Sequence, residues 1–288
     1  MTLSVPEMGL GCANLLQLTL PAFIDTAARA GFHRITVRPY AFAQALAAGW
    51  TEADLRHRLA DSGIAVTMVD ALTHALPGMR DPSDLDADVV GRLPREVLDP
   101  PDETTCFRTA TALGASVVNV THYMGHTMPL EVMAEAVGGV ARRAAALGLQ
   151  LCLEFIPDTG IPDLRSAHSM VEACGEPNVR ILLDVFHLDR SGGTVEDVRR
   201  LPPGSVAGIQ LSDRTRPAPG TPHVPLGGRR LPGDGELPLH ELVEAALDNS
   251  PAATLDLEVL NDELRGLPPD GAAARLAAAA RAWRAAID

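Results

Sequence analysis

Residues 149–157, LQLCLEFIP, are the stretch from which the fold of this 288-residue chain can be worked out. Large apolar side chains at Leu149, Leu151, Leu153 and Phe155 alternate along it with Gln150, Cys152 and Glu154. A period of two is typical of a β-strand, so Glu154 lies near the C-terminal end of a predicted strand. A buried carboxylate is costly unless it is paired or binds a metal. The stretch therefore predicts a strand that presents a carboxylate to a site.

Three later strand-like runs also end on a side chain that carries oxygen. They are RILLDVFH with Asp184, VAGIQLSD with Gln210 and TLDLEVL with Glu258. Any one of these side chains could instead cap a helix or form a buried ion pair. Because they recur at the same place on successive strands with Glu154, we predict that the four bind one metal. Carboxylates and an amide carbonyl suit Mg²⁺ or Mn²⁺ better than Zn²⁺.

Strand-like and helix-like segments alternate eight times along the chain. This pattern favours an α/β fold, a (β/α)₈ TIM barrel forming a single domain over residues 1–288, over a doubly wound sheet. The predicted strands are residues 8–14, 34–38, 64–72, 115–121, 149–157, 179–185, 206–211 and 254–260. The predicted helices are residues 21–30, 51–62, 102–113, 130–147, 163–173, 194–201, 239–247 and 272–287.

Two long segments rich in Pro and Gly, residues 73–101 and 212–238, follow the third and seventh predicted strands. Both therefore belong to the C-terminal face of the barrel, where active sites of this fold form. Within the second segment, LGGRRLPGDGE (residues 226–236) is rich in glycine but does not match a P-loop. Both segments are predicted to be loops.

The composition excludes several classes of protein. A net charge of −13 argues against a general binder of nucleic acid or of anionic membranes. All 24 basic residues are arginine, which excludes Schiff-base aldolases, PLP enzymes and Walker-A NTPases, since each needs a lysine. The four cysteines form no C-x-x-C pair and are expected to be buried free thiols. With no secretory signal and no apolar run that could span a membrane, we expect a cytoplasmic protein.

Further polar residues follow the predicted strands. His187 is a candidate general base, substrate hydrogen-bonding partner or orienter of a ligand, or else a structural histidine. Arg190 lies beyond it, in what we predict to be the same loop. The other candidates are Asp213, which could brace the site, and three possible substrate ligands at the rim, Arg216, His122 and Arg38. For each arginine, the alternative is a solvated surface charge.

Together these motifs resemble the xylose isomerase-like TIM-barrel superfamily, the group of sugar phosphate isomerases and epimerases. The matching features are LEFIP on strand five, the D-x-x-H of LLDVFHLDRSGG, the Q-x-x-D of IQLSD, the P-G-x-G-E of LPGDGE and LEV on strand eight. The resemblance extends from the first strand to the last helix. It implies a divalent metal ion bound by Glu154, Asp184, Gln210 and Glu258. The expected ion is Mn²⁺ or Mg²⁺, with Co²⁺ as a further candidate. It also implies that the two glutamates flank the substrate and shuttle protons.

Two positions depart from the pattern of the epimerases. Many epimerases have His where this chain has Gln210, and Gln there resembles the 3-dehydroshikimate dehydratase-like branch. Many ketose epimerases also carry a second glutamate six residues after the ligand on strand five, where this chain has Gly160. Both departures leave a dehydratase as an alternative to an epimerase.

The leading hypothesis is proton transfer next to a carbonyl of a small polyhydroxylated substrate through an enediolate, which gives an isomerase or epimerase. The same enediolate can expel a β-hydroxyl, which gives a dehydratase of the 3-dehydroshikimate or inosose type. A nuclease of the endonuclease IV type would need more histidines and a basic face. A non-catalytic barrel that binds a metabolite is the remaining alternative. Relatives are often dimers or tetramers, so the resemblance implies a homo-oligomer.

Overall fold

Eight parallel strands form a closed barrel, β1 to β8 in chain order, in which β8 pairs with β1. The computed structural model describes residues 5–84, 90–91, 93, 95–123, 125–218, 221 and 227–286. The predicted (β/α)₈ TIM barrel is confirmed. The strands are β1 Met8–Leu10, β2 Arg34–Val37, β3 Ala65–Leu72, β4 Val117–Thr121, β5 Gln150–Glu154, β6 Val179–Asp184, β7 Val206–Leu211 and β8 Thr254–Leu257.

Helices alternate with the strands and cover the outside of the barrel. They are α1 Leu20–Ala30, α2 Pro39–Ala47, α3 Glu52–Asp61, α4 Arg95–Leu98, α5 Glu103–Leu113, α6 Leu130–Ala145, α7 Leu164–Cys174, α8 Val185–Arg190, α9 Val195–Arg199, α10 Leu239–Asn249, α11 Asp262–Arg265 and α12 Pro269–Ala285. Short 3₁₀ helices form at Cys12–Leu15 and Pro82–Asp84. Each predicted helix is present within a few residues of its predicted ends, whereas α2, α4, α8 and α11 were not predicted.

Local sequence explains where several helices begin and end. In α3, Thr51 accepts a hydrogen bond from the backbone N–H of Asp54, whose carboxylate accepts from the Thr51 N–H, a capping box. The same arrangement joins Thr194 and Asp197 at the start of α9. Gly31 ends α1 with a φ of 87°, a conformation that favours glycine. These signals set the spacing of helix and strand on which the barrel depends.

Asn14 links the segment after β1 to the end of β8, beside Glu258, the last of the four predicted metal ligands. Its Nδ2 donates to the carbonyl oxygens of Gly11 (2.7 Å) and Leu257 (2.8 Å), and its Oδ1 accepts from the N–H of Val259 (2.8 Å). The side chain is buried, so these bonds are shielded from water. They fix the backbone on both sides of Glu258, which follows β8 directly.

The other predictions made from the sequence concern two long loops, the four cysteines and membrane-spanning segments. The predicted loop over residues 73–101 contains α4 and the 3₁₀ turn Pro82–Asp84, while residues 85–89, 92 and 94 lie outside the described part. Within the loop over residues 212–238, residues 219–220 and 222–226 lie outside it as well. All four cysteines are free; three are buried, and Cys174 is half-buried. Within the described residues, every helix is too short or too polar to cross a membrane.

Candidate active site

The four predicted metal ligands lie at the C-terminal ends of their strands. Glu154 ends β5, Asp184 ends β6, Gln210 is the last but one residue of β7, and Glu258 follows β8. All four are buried, and the most exposed, Glu258, has a relative exposure of 7%. The Gln210 Nε2 lies 3.3 Å from the Glu258 Oε1. The barrel thus brings the predicted ligands to one end, which meets the first requirement of a shared site.

His187 lies inside this group. One ligand atom from each of Glu154, Asp184 and His187 lies within 4.8 Å of the other two, a spacing that could hold a metal ion. The His187 Nε2 is 3.6 Å from the Glu154 Oε1 and 3.7 Å from the Asp184 Oδ2. His187 is therefore placed either to bind the metal or to contact a substrate beside it.

Asp184 also begins a helix, which corrects the prediction that His187 and Arg190 lie on a loop. Its Oδ1 accepts hydrogen bonds from the N–H groups of Phe186 (2.8 Å) and His187 (3.2 Å), so it caps α8. This leaves Oδ2 for the site. A single aspartate both ends β6 and aims the first turn of α8, which carries His187, at the other ligands.

Arg229 is the main residue that sequence reasoning missed. Its Nη2 lies 2.7 Å from the Asp184 Oδ2, 3.1 Å from the Glu258 Oε2 and 3.3 Å from the His187 Nε2. Its Nη1 donates to the Ser212 Oγ (3.2 Å) and to the Glu258 carbonyl (3.3 Å). The side chain is 3% exposed. A buried guanidinium therefore sits directly on two of the four predicted ligands.

Asp70 and Asn119 were also missed, because each lies inside a predicted strand. The Asn119 Nδ2 donates both to the Asp70 Oδ1 (2.8 Å) and to the Glu154 Oε2 (2.7 Å). The Gln210 Nε2 donates to the Asp70 Oδ2 (3.1 Å). Asp70 thus connects the ligands of β5 and β7 through two amide side chains.

The site contains more carboxylates than cations. Burial, together with the charges of Asp70 and Asp184, raises the pKa of Glu154 to about 8. Burial also raises the pKa of Glu258, which Arg229 partly offsets. Burial would raise the pKa of Asp184 as well, but the charge of Arg229 lowers it to about 2. One arginine therefore faces four buried carboxyl groups, an imbalance that a divalent cation would offset.

A second observation supports a cation. The Gln210 Oε1 is buried and has no hydrogen-bond partner among the described residues. A buried carbonyl oxygen without a partner typically costs about 1–3 kcal/mol. Coordination to a hard cation would satisfy it. The residues of the site therefore fit a divalent ion, with Glu154, Asp184, Gln210 and Glu258 as candidate ligands and His187 beside them.

A cavity of about 390 Å³ opens onto this group. Its wall includes five of the predicted site residues: Arg38, Glu154, His187, Arg190 and Glu258. The Arg190 Nη2 lies 3.3 Å from the Asp158 Oδ2, and the Arg38 Nη2 donates to the Leu16 carbonyl at 3.0 Å. Asp70, Tyr123 and Arg229 line the same space. Its volume suits a small molecule, with both acidic and basic groups available to it.

The identity of the family follows from sequence as well as from geometry. A sequence model of the family described as "Xylose isomerase-like TIM barrel" matches residues 24–286. The chain belongs to this family. The predicted resemblance is thereby confirmed at the level of the family.

Among characterised relatives, this family member is 31% identical over 117 residues to a D-psicose 3-epimerase of Agrobacterium fabrum, a match that covers 40% of this chain and 36% of the relative. It is 24% identical over 127 residues to an inosose isomerase of Halalkalibacterium halodurans, covering 42% and 43% of the two chains. The matched segments thus span about two fifths of each relative. They support the superfamily and make an enzyme the expected type of protein, without fixing its reaction.

Solved structures agree on the fold. The IolI protein, whose structure holds a bound zinc atom, superposes with a TM-score of 0.76 at 17% identity, covering 98% of this chain and 98% of that one. At this identity the likeness shows a shared barrel and nothing finer.

Two predicted substrate ligands of this barrel lie away from the cavity wall. Arg216 is exposed and pairs with Asp189 at 2.9 Å. His122 is fully buried, with its Nε2 2.8 Å from the Pro77 carbonyl. A Cβ added at Gly160 would lie 2.1 Å from the His122 Nδ1. The buried histidine thus excludes any side chain at Gly160, including the second glutamate of many ketose epimerases.

Asp213 organises the loop that carries Arg229. Its Oδ1 accepts from the N–H groups of Arg214 (2.8 Å) and Leu237 (3.0 Å), and its Oδ2 from those of Gly233 (3.1 Å) and Gly235 (3.0 Å). Its backbone also pairs with that of Arg230, next to Arg229. The predicted bracing role therefore has a specific form in the structure, since Asp213 holds the P-G-D-G turn and, through it, the buried guanidinium.

We expect Asp213→Asn to destabilise the protein by about 2–4 kcal/mol, because an amide nitrogen replaces one acceptor oxygen and faces N–H donors. Urea unfolding measures the loss. Asp234→Asn is the matched control, since Asp234 lies in the same turn but is exposed. Equal stability of the two variants would show that the four hydrogen bonds do not hold the turn.

Proposed function

We propose that this chain is a divalent-metal-dependent enzyme that transfers a proton next to a carbonyl group of a small polyhydroxylated substrate, as an isomerase or epimerase. The observation that carries the proposal is the pairing of two buried glutamates. Glu154 ends strand five, Glu258 directly follows strand eight, and both line one cavity in one carboxylate-rich site. Two carboxyl groups in one cavity can act as general base and general acid on a substrate bound between them.

Glu154, Asp184, Gln210 and Glu258 would hold the metal, and their oxygen donors favour Mn²⁺ or Mg²⁺, with Co²⁺ also accepted. When bound, the ion would supply Lewis-acid polarisation of the substrate carbonyl. The zinc bound by IolI is consistent with a divalent ion in this type of barrel.

The protein's own groups perform the proton transfer. One glutamate takes the proton from the carbon next to the carbonyl, and the other returns a proton to the resulting enediolate. In the metal-free protein, burial raises the pKa of Glu154 to about 8 and also raises the pKa of Glu258, so both carboxyl groups hold a proton more readily than an exposed glutamate does. Asn119 orients Glu154 through a 2.7 Å hydrogen bond, and Arg229 contacts Glu258 at 3.1 Å. His187 and Arg190 line the cavity and would bind substrate oxygens.

A dehydratase of the 3-dehydroshikimate or inosose type is the second candidate. Gln210 at the ligand position of β7 favours it, as does the lack of room for a side chain at Gly160. In this reaction, His187 would donate a proton to the departing β-hydroxyl; its Nε2 lies 3.6 Å from the Glu154 Oε1, and both residues line the cavity. The two candidates share the first proton abstraction and differ only in the fate of the enediolate.

Metal analysis followed by NMR in D₂O tests the proposal. We expect about one Mn²⁺ or Mg²⁺ per chain after reconstitution, and deuterium at the carbon next to the carbonyl for one substrate among ketoses, inososes and dehydroshikimate. Loss of a hydroxyl would identify the dehydratase. The chelator-treated protein is the control. Failure to bind an ion, or turnover without exchange of that proton, would contradict the proposal.

A further inference from the structure

The side chain of Gln210 is held by its nitrogen and not by its oxygen. It is 1% exposed, and its Nε2 donates to the Asp70 Oδ2 at 3.1 Å and to the Glu258 Oε1 at 3.3 Å. Its Oε1 has no hydrogen-bond partner among the described residues. An amide buried this deeply normally uses both ends. The oxygen is therefore available to a partner other than the residues that the structure describes.

The surrounding carboxylates determine which way the amide faces. The two ends of a glutamine amide have nearly the same size, so packing cannot distinguish them. Rotating the amide by 180° would bring the Oε1 against the oxygens of Asp70 and Glu258, which would exchange two hydrogen bonds for two repulsive contacts. Glu258 is already engaged by Arg229 at 3.1 Å and is itself a candidate ligand. Among the described residues, the hydrogen bonds given to the Asp70 carboxylate come from amide side chains.

Both oxygens of Asp70 are used in this way. Its Oδ2 accepts from Gln210 at 3.1 Å, and its Oδ1 accepts from Asn119 at 2.8 Å. The same Asn119 nitrogen reaches the Glu154 Oε2 at 2.7 Å. These two amides fix the side chain of Asp70, which lies on β3, and Asp70 fixes them in return, so it orients groups on β4 and β7.

We propose that Asp70 is a positioning residue that turns the carbonyl oxygen of Gln210 toward the metal site, so that glutamine can serve as a ligand there. The inference rests on the metal site of the proposed function. An asparagine at position 70 has one acceptor oxygen for two donor amides, and its own NH₂ would attract the Gln210 Oε1. Asp70→Asn should therefore release or reverse the Gln210 amide.

The test is a titration of the chelator-treated protein with MnCl₂, followed by calorimetry. We expect Asp70→Asn to weaken Mn²⁺ binding at least about tenfold, which is about 1.4 kcal/mol. Asp256→Asn controls for the lost charge, because Asp256 is buried in the barrel and, in the part of the chain that the structure describes, its carboxylate accepts from the hydroxyls of Thr67 and Thr254. We expect it to change binding less than about threefold.

A double-mutant cycle separates orientation from charge. The Gln210→Ala variant has no amide to orient, so Asp70→Asn in that background should cost no more than Asp256→Asn does. An equal loss in both backgrounds, or wild-type affinity of Asp70→Asn, would overturn the inference.

A metal-free measurement distinguishes failure of the inference from failure of the proposed function. In the ¹⁵N NMR spectrum, the side-chain NH₂ of Gln210, assigned by its absence in Gln210→Ala, should be protected from solvent exchange and should lose that protection in Asp70→Asn. If the wild type bound no Mn²⁺ while this change occurred, the proposed metal site would be contradicted, but the orientation of Gln210 by Asp70 would be supported. If the signal were the same in both proteins, the positioning role would be wrong.

Discussion

Glu154→Gln and Glu258→Gln are each expected to lower turnover by about a thousandfold or more. General acid–base groups typically contribute about 10²–10⁴-fold, and each glutamate is also a candidate metal ligand. The variants keep the size and hydrogen-bonding capacity of the side chain but remove its ability to take a proton. Steady-state rates with the substrate found in the D₂O screen, and metal content per chain, measure the two effects separately.

The matched control is Glu263→Gln. Glu263 lies on α11, shortly after β8, and is exposed beside Arg275 at 3.4 Å. We expect it to keep wild-type turnover and metal content. If Glu154→Gln and Glu258→Gln also kept them, neither glutamate would be a proton-transfer group or a required metal ligand.

Comparing the two glutamine variants also distinguishes the two glutamates. Whichever glutamate removes the proton is required for exchange of the substrate proton with D₂O, while its partner is required only to return it. We therefore expect one variant to lose exchange and the other to retain exchange while it loses net conversion. Loss of exchange in both variants, with metal still bound, would mean that the two carboxylates act as one unit.

The parts of the site that the sequence predicts are those that lie next to their own strands. Glu154, Asp184, Gln210 and Glu258 each come at or just after the end of an apolar run. In a parallel barrel, all such positions meet on one face, so a signal local in sequence becomes a site in space. The fold follows from the same periodicity.

What the sequence does not reveal depends on contacts between distant residues. Asp70 lies inside β3, in a run that reads as one more buried strand, and its role becomes visible through its contacts with Asn119 and with Gln210 across the barrel. Helix α8 follows β6 without a turn, because Asp184 caps it directly, so the segment with His187 and Arg190 looked like a loop. Neither arrangement has a pattern of its own along the chain.

Arg229 is the clearest case, since it reaches the site from a long loop. Its position depends on the Asp213 bonds to the P-G-D-G turn and on Asn261, whose Nδ2 donates to the Arg229 carbonyl at 2.9 Å. The two adjacent arginines before the turn were visible in the sequence, but nothing there distinguishes the buried one from the exposed Arg230. The fold alone decides which of them enters the carboxylate cluster.

We expect Arg229→Met to cost the metal-free protein about 3–5 kcal/mol of unfolding free energy, the usual loss when one partner of a buried ion pair is removed. The guanidinium contacts Asp184 at 2.7 Å and Glu258 at 3.1 Å, and its removal leaves both without their cation. Urea unfolding in the presence of a chelator measures the loss. Arg230→Met is the matched control, because its side chain is exposed and it precedes the same turn.

Adding Mn²⁺ should reduce the difference in unfolding free energy between Arg229→Met and the wild type. A divalent ion on the same carboxylates supplies the positive charge that the variant lacks, and any ligand that binds only the folded state raises its stability. Because Arg229 and the ion share Asp184 and Glu258, the variant should also bind Mn²⁺ more tightly than the wild type does. If this difference in unfolding free energy were the same in chelator and in Mn²⁺, the arginine would stabilise the protein through the loop and not by neutralising the carboxylates of the site.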